Sequence, residues 1–341
     1  MLTFTPIRNG LLRAAPLALI AALGLAACGG YSGSGMPYPM STGGAPSKLF
    51  AADAGYPGIG SLINPDPAPG MVVVDRFFYG GGLTASVGSL SLDTLNDRLY
   101  VGNGTSILVY NGASMAMGIP SPDRTITGIT SAASLFIDAA NNRLYVGDAA
   151  VGVRVFDPAD MANNMASVSR SITGNFGATF QIHGVAVDAG KDILYVSNST
   201  LTPTPSNQIT LFTASTANDP ATTKATITPT DGGMNNLSVA GIALDSTNNR
   251  LYVAGPAPTV LVFDLASTLT GAQTASRTIT LPGQIRSVAI DPVGDRLYAV
   301  ELNGAAIYIV EGAHTASGVP SVVKAITPPY GNFTGVAVNP M

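Results

Sequence analysis

A six-residue motif recurs five times along this chain. NNRLYV stands at 141–146 and again at 248–253, with the variants NDRLYV at 96–101, KDILYV at 191–196 and GDRLYA at 294–299. A period of 45–57 residues indicates that one small unit is copied several times. Such a unit cannot bury its apolar face alone and must pack against its neighbours. The repeat therefore constrains the fold more strongly than any other feature.

Each copy of the motif belongs to a longer unit with four β-strand patterns. The first is an apolar strand that ends in Asp, the motif is the second, and two further short strands follow. The first strands lie at 89–93, 134–138, 184–188, 241–245 and 287–291. Four strands per repeat are typical of a β-propeller blade. The chain ends supply a sixth unit, because 48–53, 60–64 and 75–79 match second, third and fourth strands while 335–339 matches a first strand. We predict an all-β, six-bladed β-propeller over 48–341, with four-stranded antiparallel blades and a last blade closed by strands from both termini.

Two charged features recur in every unit. The Asp that ends each first strand is expected to form an Asx-type turn and to contact the Arg that opens the next strand. Each fourth strand also carries one cation, which we interpret as a charge that discourages pairing with another molecule at the blade edge. These cations are Arg76, Arg124, Arg170, Lys224, Arg277 and Lys324.

The N-terminus is typical of a bacterial lipoprotein. Arg8 and Arg13 precede a short apolar segment that ends in small residues, which predicts a secretory signal peptide over 1–27. The segment LAAC at 25–28 resembles the lipobox, which implies acylation of Cys28, palmitate included, and anchoring in the lipid bilayer. Gly29 after the cysteine implies sorting to the outer membrane. The alternative is an ordinary signal peptide with a chance cysteine.

Composition narrows the mature protein further. Residues 28–47 are rich in Gly, Ser and Pro and are expected to form a flexible tether. Cys28 is the single cysteine, so disulfides and thiol catalysis are excluded from the mature domain. Loss of the signal peptide removes two arginines and changes the formal net charge from −4 to −6. An acidic domain with scattered basic residues is not expected to bind nucleic acid. A monomer is expected.

The segments GVAVDAGKDILYVSN at 184–198 and GIALDSTNNRLYVAG at 241–255 resemble NHL-type and YVTN-type propeller repeats. The resemblance covers 48–341. Proteins with such repeats include lactonases, lyases, interaction scaffolds and envelope proteins without an assigned activity. The resemblance therefore implies the fold and leaves the function open.

One position in the repeat is expected to lie at the mouth of the central channel. It immediately precedes the first strand and holds Gly88, Ala133, His183, Ala240, Arg286 and Thr334. His183 and Arg286 are the two members that could recognise a ligand. The alternative is a hydrogen-bonded loop histidine and a solvated arginine. The second histidine of the chain, His314, is expected to be solvated in a loop between third and fourth strands.

The turn after the second strand opens on the same face and offers carboxylates and amides. The resemblance to six-bladed lactonases implies a divalent metal, Ca²⁺ or Mg²⁺, at such a ring, with Asp53, Asp148 and Glu301 as weak candidates. No Ser-His-Asp set and no histidine pair at metal-binding spacing can be assembled, so no catalytic residue is predicted. No cofactor is predicted apart from that metal.

The loops between third and fourth strands are uniform, whereas loops on the opposite face vary. The segments 173–182, 197–208 and 228–239 are long and surround the unit that begins at His183. Variable loops on a rigid scaffold commonly carry binding sites, although such insertions can also be neutral. The candidate polar contacts are His183, Asn198, Asn207, Asn235, Arg286 and Glu301, and the candidate apolar contacts are Phe176, Phe180 and Tyr330.

Three hypotheses for function remain open at this stage. The first is a non-catalytic envelope lipoprotein that binds a protein, glycan or small molecule at the channel mouth. The second is a metal-dependent, lactonase-like hydrolase or lyase with its site at the same place. The third is a spacer without a ligand. Whether the protein is an enzyme stays open, and the first hypothesis is preferred.

Overall fold

The repeated motif forms the second strand of a four-stranded antiparallel sheet at each of its five positions in the computed structural model. The described residues are 45, 48–64, 74–149, 151–173, 176, 179–202, 206–219, 221–230, 241–255, 257–320, 323–327 and 332–339. The predictions for Cys28, Ala240, Asn235 and Tyr330 lie outside these residues. The described residues form six blades, which confirms the predicted β-propeller.

The strands follow one another from blade to blade along the chain. Blade 1 holds β1 (Leu49–Asp53), β2 (Gly58–Leu62) and β3 (Arg76–Tyr79), and blade 2 holds β4 (Val87–Asp93), β5 (Arg98–Asn103), β6 (Ser106–Asn111) and β7 (Arg124–Ile126). Blade 3 holds β8 (Ala132–Asp138), β9 (Arg143–Asp148), β10 (Gly152–Phe156) and β11 (Arg170–Ile172). Blade 4 holds β12 (Thr179–Asp188), β13 (Ile193–Thr202), β14 (Ser206–Thr213) and β15 (Ala225–Pro229). Blade 5 holds β16 (Ile242–Asp245), β17 (Arg250–Ala254), β18 (Thr259–Asp264) and β20 (Arg277–Thr280), while the short β19 (Gly271–Gln273) pairs in parallel with β15 of blade 4. Blade 6 holds β21 (Ile285–Asp291), β22 (Arg296–Glu301), β23 (Ile307–Glu311) and β24 (Val323–Ile326), and β25 (Phe333–Val338) returns to blade 1.

Both ends of the described chain build blade 1. Strand β25 pairs with β1 in antiparallel register, with Leu49 opposite Val338 and Phe50 opposite Ala337. Phe50 is fully buried in this blade. The predicted closure by strands from both termini is confirmed.

The second letter of the motif is fixed by backbone geometry. Asp97, Asn142, Asp192, Asn249 and Asp295 all have φ between 48° and 54°. Among residues with a side chain, Asn and Asp are the ones that tolerate this left-handed conformation best. The same side chains reach the turn that follows the third strand, as where Asp192 accepts the backbone N–H and the hydroxyl of Ser215 at 2.7 and 2.6 Å.

The Asp that ends each first strand makes the predicted turn. In blade 2 the Asp93 Oδ1 atom accepts the backbone N–H groups of Leu95 and Asn96, each at 3.1 Å. Arg98 approaches the same carboxylate at 3.8 Å. Arg250 and Arg296 approach Asp245 and Asp291 in the same way at 4.0 and 3.9 Å. The Asx-type turn and the Asp–Arg contact are therefore confirmed in these blades.

The role predicted for the cations of the fourth strands is wrong for most of them. Arg124 donates to the carbonyl oxygens of Ala159 and Ala162 in blade 3, both at 2.9 Å. Arg170 donates to Ala214 and Ala217 of blade 4 at 3.0 and 3.1 Å. Arg76 and Arg277 bond to the next blade in the same manner. Each of these arginines therefore connects two blades.

The blade edges are protected by the loops between third and fourth strands. Where these loops are described, they pair with the fourth strand of the preceding blade, as where Gly118 bonds to Phe77 and Tyr79 at 3.0 and 2.9 Å. Asn164 and Gly318 form the corresponding bridges to blades 2 and 5, and β19 forms the one to blade 4. Coverage of an edge by a neighbouring segment satisfies its free backbone groups. This shared task explains why these loops are uniform.

The first three strands of blade 4 are longer than those of its neighbours. Strands β12 and β13 have ten residues each and β14 has eight. The predicted loop at 197–208 is thus mostly the extension of a hairpin, with Asn198 opposite Gln208 and Thr200 opposite Ser206. The extension of β13 includes Thr200 and Thr202, and Thr is enriched in strands.

The hydrophobic core lies between adjacent blades. Its buried residues form six clusters, each drawn mainly from two neighbouring blades. The motif tyrosines Tyr100, Tyr145, Tyr195, Tyr252 and Tyr298 are all at most 1% exposed. Among the residues with described structure, no helix has the length and apolar character to cross a bilayer.

Candidate functional site

A β-bulge interrupts the first strand at the end where it enters the blade. In β12 the pairing moves from Ile182 to Gly184 and skips His183. In β21 it moves from Ile285 to Ser287 and skips Arg286. The same irregularity falls at Gly88, Ala133 and Thr334 in blades 2, 3 and 1. A bulge re-aims the side chain of the extra residue, and bulges are common beside functional sites.

All five bulged residues line one cavity on the axis of the ring. The cavity has a volume of about 700 Å³ and its wall is made by the first strands of all six blades. We call its end at the bulges the mouth, and the face of the ring around it the mouth face. The opposite face carries the Asp turns and the loops between third and fourth strands, and we call it the turn face. The predicted position of His183 and Arg286 beside the channel agrees with this placement.

His183 is held in a fixed position at the mouth. Its Nε2 atom lies 2.8 Å from the hydroxyl of Ser199, which is 5% exposed. Burial lowers the pKa of His183, so the imidazole is neutral at pH 7. The hydrogen bond leaves Nδ1 as the ring atom available to a ligand. No motif marks Ser199 in the sequence, because its role depends on the extended β12–β13 pairing.

Arg286 is half-buried at the mouth. It belongs to blade 6, two blades along the ring from His183 in blade 4. Burial lowers the pKa of its guanidinium, and no carboxylate offsets this effect. Within the described ranges, its side chain has no hydrogen bond or ion pair. A guanidinium carries five N–H donors, and a charge that is partly removed from water without a partner is unfavourable. Arg286 is therefore ready to accept an anionic partner.

Hydroxyl groups inside the ring connect neighbouring first strands. Ser91 accepts the N–H of Ile137 at 2.8 Å, and Ser134 accepts that of Val185 at 3.0 Å. The hydroxyls of Ser89 and Thr334 donate to carbonyl oxygens of the next blade at 2.9 and 2.8 Å. These bonds hold the channel wall together and were not foreseen from the sequence.

The candidate metal ligands on the mouth face are already engaged. Asp53 accepts three backbone N–H groups through Oδ1, including that of Asn332 at 3.0 Å. Asp148 accepts the N–H groups of Thr130 and Ser131 and lies 3.1 Å from Arg154. Both carboxylates are fully buried. They stabilise the backbone of the mouth face.

Glu301 ends β22 on the same face and is half-buried. The pKa of the neighbouring Tyr308 is raised, first by burial and then by the charge and hydrogen bond of Glu301. Neither Glu301 nor the two aspartates line the central cavity. In the part of the chain with described coordinates, no three His, Cys, Asp or Glu side chains are grouped as metal ligands would be.

Several other predicted contact residues lie away from the cavity. Phe176 is fully buried and packs against Phe180 and Phe212, with ring centroids 5.2 and 5.8 Å apart. Asn198 is also fully buried, and its side-chain oxygen accepts the hydroxyl of Thr210 at 3.1 Å. Asn207 is 8% exposed. Phe180 remains half-buried beside the core between blades 3 and 4.

Comparison of the sequence with known proteins identifies no family for this chain. No family model matches the chain, and no curated protein matches it. The site is therefore characterised by its geometry: a central cavity with a half-buried arginine and a hydrogen-bonded neutral histidine at one end.

Proposed function

We propose that this protein is a lipid-anchored propeller of the bacterial cell envelope that acts as a non-catalytic binding module. Its ligand, a small molecule or part of a protein or glycan, is taken up at the mouth of the central channel. The observation that carries the proposal is the cavity of about 700 Å³ with His183 and Arg286 in its wall. Ligand sites are usually concave and hold a few convergent polar groups of this kind.

The position of the chain ends supports an anchored orientation. Strand β1 starts at Leu49 on the turn face and runs to Asp53 on the mouth face, as its pairing with β25 requires. The first described strand therefore enters the ring on the turn face.

Exposed apolar residues are also concentrated on the turn face. Of the nine large hydrophobic residues that are exposed in the described ranges, only Leu302 follows a second strand on the mouth face. The others lie in Asp turns or in loops between third and fourth strands: Leu95, Met115, Ile119, Met161, Met165, Leu265, Val293 and Val319. An apolar turn face suits the side nearer to a bilayer, because exposed apolar area is favourable next to lipid headgroups and acyl chains.

A non-catalytic role is supported by the state of the acids on the mouth face. Asp53 and Asp148 are buried. Asp53 accepts backbone N–H groups, and Asp148 accepts a backbone N–H group and forms an ion pair with Arg154. A general base or a metal ligand needs an oxygen free to face its substrate. The charge of Arg286 also disfavours a cation at the mouth, since like charges repel.

Fractionation of the native host tests the anchor. The wild-type chain should co-purify with outer membranes, whereas Cys28→Ser should become soluble or remain uncleaved. Mass spectrometry should find the acyl groups on Cys28. An unmodified Cys28 in the mature protein would contradict the anchoring.

Binding at the channel is tested with a variant that blocks the mouth. Gly88 lines the cavity, and a Cβ there would meet only the Ser86 carbonyl oxygen, at 3.9 Å. We therefore expect Gly88→Phe to fold and to narrow the mouth without changing its charge. A thermal-shift screen of peptides, glycans and small molecules should find ligands that stabilise the wild type and not this variant. Ligands that stabilise both equally would place binding elsewhere, and Ca²⁺ or Mg²⁺ retained at one equivalent after desalting would favour the metal-dependent enzyme.

A further inference from the structure

Arg286 is the one charged group among the described residues that line the channel. Among the described residues that line the cavity, Arg286 and His183 are the only ones with ionisable side chains, and no Asp or Glu is present. This is unexpected in a chain with 20 acidic and 16 basic residues. The acids at the inner strands, such as Asp188 and Asp291, are 2% and 0% exposed and belong to turns at the opposite end. The mouth is therefore a cationic position within an acidic protein.

The polar groups of the channel wall are largely occupied by the ring itself. Ser91 and Ser134 accept backbone N–H groups of the next blade, and Ser89 and Thr334 donate to its carbonyl oxygens. The side chain of Arg286, by contrast, has no hydrogen bond or ion pair within the described chain, and the ring of His183 bonds only through Nε2. The donors available to a ligand are thus concentrated at the mouth.

The other end of the cavity has a different character. The residue before each turn Asp, or before Asn339 in blade 1, is apolar, and several of these side chains are only half-buried, including Leu92, Leu244, Ile290 and Val338. Ile290 stands four residues after Arg286 on the same strand. At about 3.3 Å per residue, the Cα atoms of these two residues lie roughly 13 Å apart along the strand. The cavity thus has a cationic end and an apolar end.

We infer that the channel binds a small organic monoanion with an apolar body, such as an aryl- or alkyl-carboxylate. The carboxylate lies at Arg286, which offers two parallel N–H donors to such a group. In the tautomer that has its proton on Nδ1, His183 accepts the Ser199 hydroxyl at Nε2 and donates Nδ1–H to the carboxylate. The apolar body extends along the strands toward Leu244 and Ile290. This inference rests on the proposed function, because it names the ligand class for the same channel.

Burial gives the anion an energetic advantage. Partial removal of Arg286 from water lowers its pKa, which means that the charged form is disfavoured until a counter-ion arrives. A bound carboxylate restores the hydrogen bonds and the charge balance that water no longer provides. A neutral ligand of the same shape would leave the guanidinium without a partner, so it should bind more weakly.

Isothermal titration calorimetry with a matched pair of probes tests the inference. The probes are 4-phenylbutyrate and 4-phenylbutanol, which differ in charge and little in shape, with inorganic phosphate as an anion that lacks an apolar body. The protein is the full chain in nonionic detergent. The Gly88→Phe variant measures any partition of the probes into micelles.

We expect 4-phenylbutyrate to bind the wild type at one site and to bind Arg286→Gln roughly 10- to 100-fold more weakly, as loss of a charge-assisted contact implies. Arg286→Lys should recover part of the affinity. Lys224→Gln serves as the control, because Lys224 is an exposed cation outside the cavity, and it should bind like the wild type. Neither 4-phenylbutanol nor phosphate should match 4-phenylbutyrate.

The inference is overturned if 4-phenylbutyrate does not bind, if Arg286→Gln binds it as well as the wild type, or if the alcohol binds equally. Equal binding of phosphate would overturn the apolar part of the ligand. If a neutral probe binds and Gly88→Phe abolishes that binding, the channel is still a binding site and only the anion is wrong. If Gly88→Phe has no effect on any bound probe, the channel itself is not the site and the proposed function fails.

Discussion

Replacement of Arg124 by methionine should weaken the joint between blades 2 and 3. Arg124 opens β7 and donates to the carbonyl oxygens of Ala159 and Ala162, both at 2.9 Å. Its guanidinium also lies 6.0 Å from the centre of the Tyr100 ring. Methionine preserves most of the apolar stem and removes the donors. The carbonyl oxygens of Ala159 and Ala162 would then lose their charged donor, and these two residues are only 0% and 5% exposed.

The magnitude follows from the two bonds. A hydrogen bond to a charged group contributes about 1.5–3 kcal/mol, and part of this is offset because the variant no longer buries a guanidinium. We expect a net loss of about 2–4 kcal/mol in the free energy of unfolding. At roughly 2–4 °C of Tm per kcal/mol, the Tm should fall by about 4–16 °C.

The matched control is Lys224→Met in the same position of blade 4. Lys224 is exposed, and in the described part of the chain its side chain has no partner in the next blade. This substitution should change the free energy of unfolding by no more than about 0.5 kcal/mol. Thermal unfolding followed by circular dichroism compares the two variants. If Arg124→Met melts within about 1 °C of Lys224→Met, the arginines do not connect the blades, and an edge-protecting role, with equal aggregation of both variants, would be favoured instead.

Three further predictions concern the ring and its mouth. Gly335→Val should lower the Tm strongly or cause aggregation, because a Cβ on this residue of β25 would lie 1.9 Å from the Gly88 carbonyl oxygen of blade 2; an unchanged Tm would contradict the placement of β25 in blade 1. His183 has a pKa lowered by burial, so the unfolded chain takes up its proton first as the pH falls below about 6.5. The wild type should therefore lose stability between pH 7 and pH 5 relative to His183→Gln, and parallel Tm profiles would refute this. Asp192→Ala should cost about 1–3 kcal/mol in urea unfolding, because it removes two hydrogen bonds to Ser215 and a residue suited to φ 54°; Asp192→Asn should recover most of the loss.

The placement of His183 and Arg286 was predictable from the sequence, whereas the placement of several other candidate residues was not. Alignment of the repeats placed His183 and Arg286 beside the channel, because every first strand enters its blade at the same point. The same reasoning expected Phe176 and Asn198 at the binding surface, but both are fully buried. The length of the segment around Asn198 indicated a loop, but most of this segment forms paired strands. Burial of these side chains depends on the packing of blade 4 against blade 3.

The sequence by itself determined the number of blades, the order of their strands and the closure by the two chain ends. These properties are local and repeated. Alternating apolar residues define each strand. The Asp that ends the first strand, and the Asp or Asn with positive φ four residues later, define each turn. Five copies make such a signal unambiguous. The tertiary structure alone decided what joins the blades and which partners hold the side chains at the channel mouth. Arg124 meets partners 35 and 38 residues away in another blade, and Ser199 meets His183 across an extended strand pair. Such contacts depend on how neighbouring blades and strands are stacked around the axis, and no local pattern records that stacking.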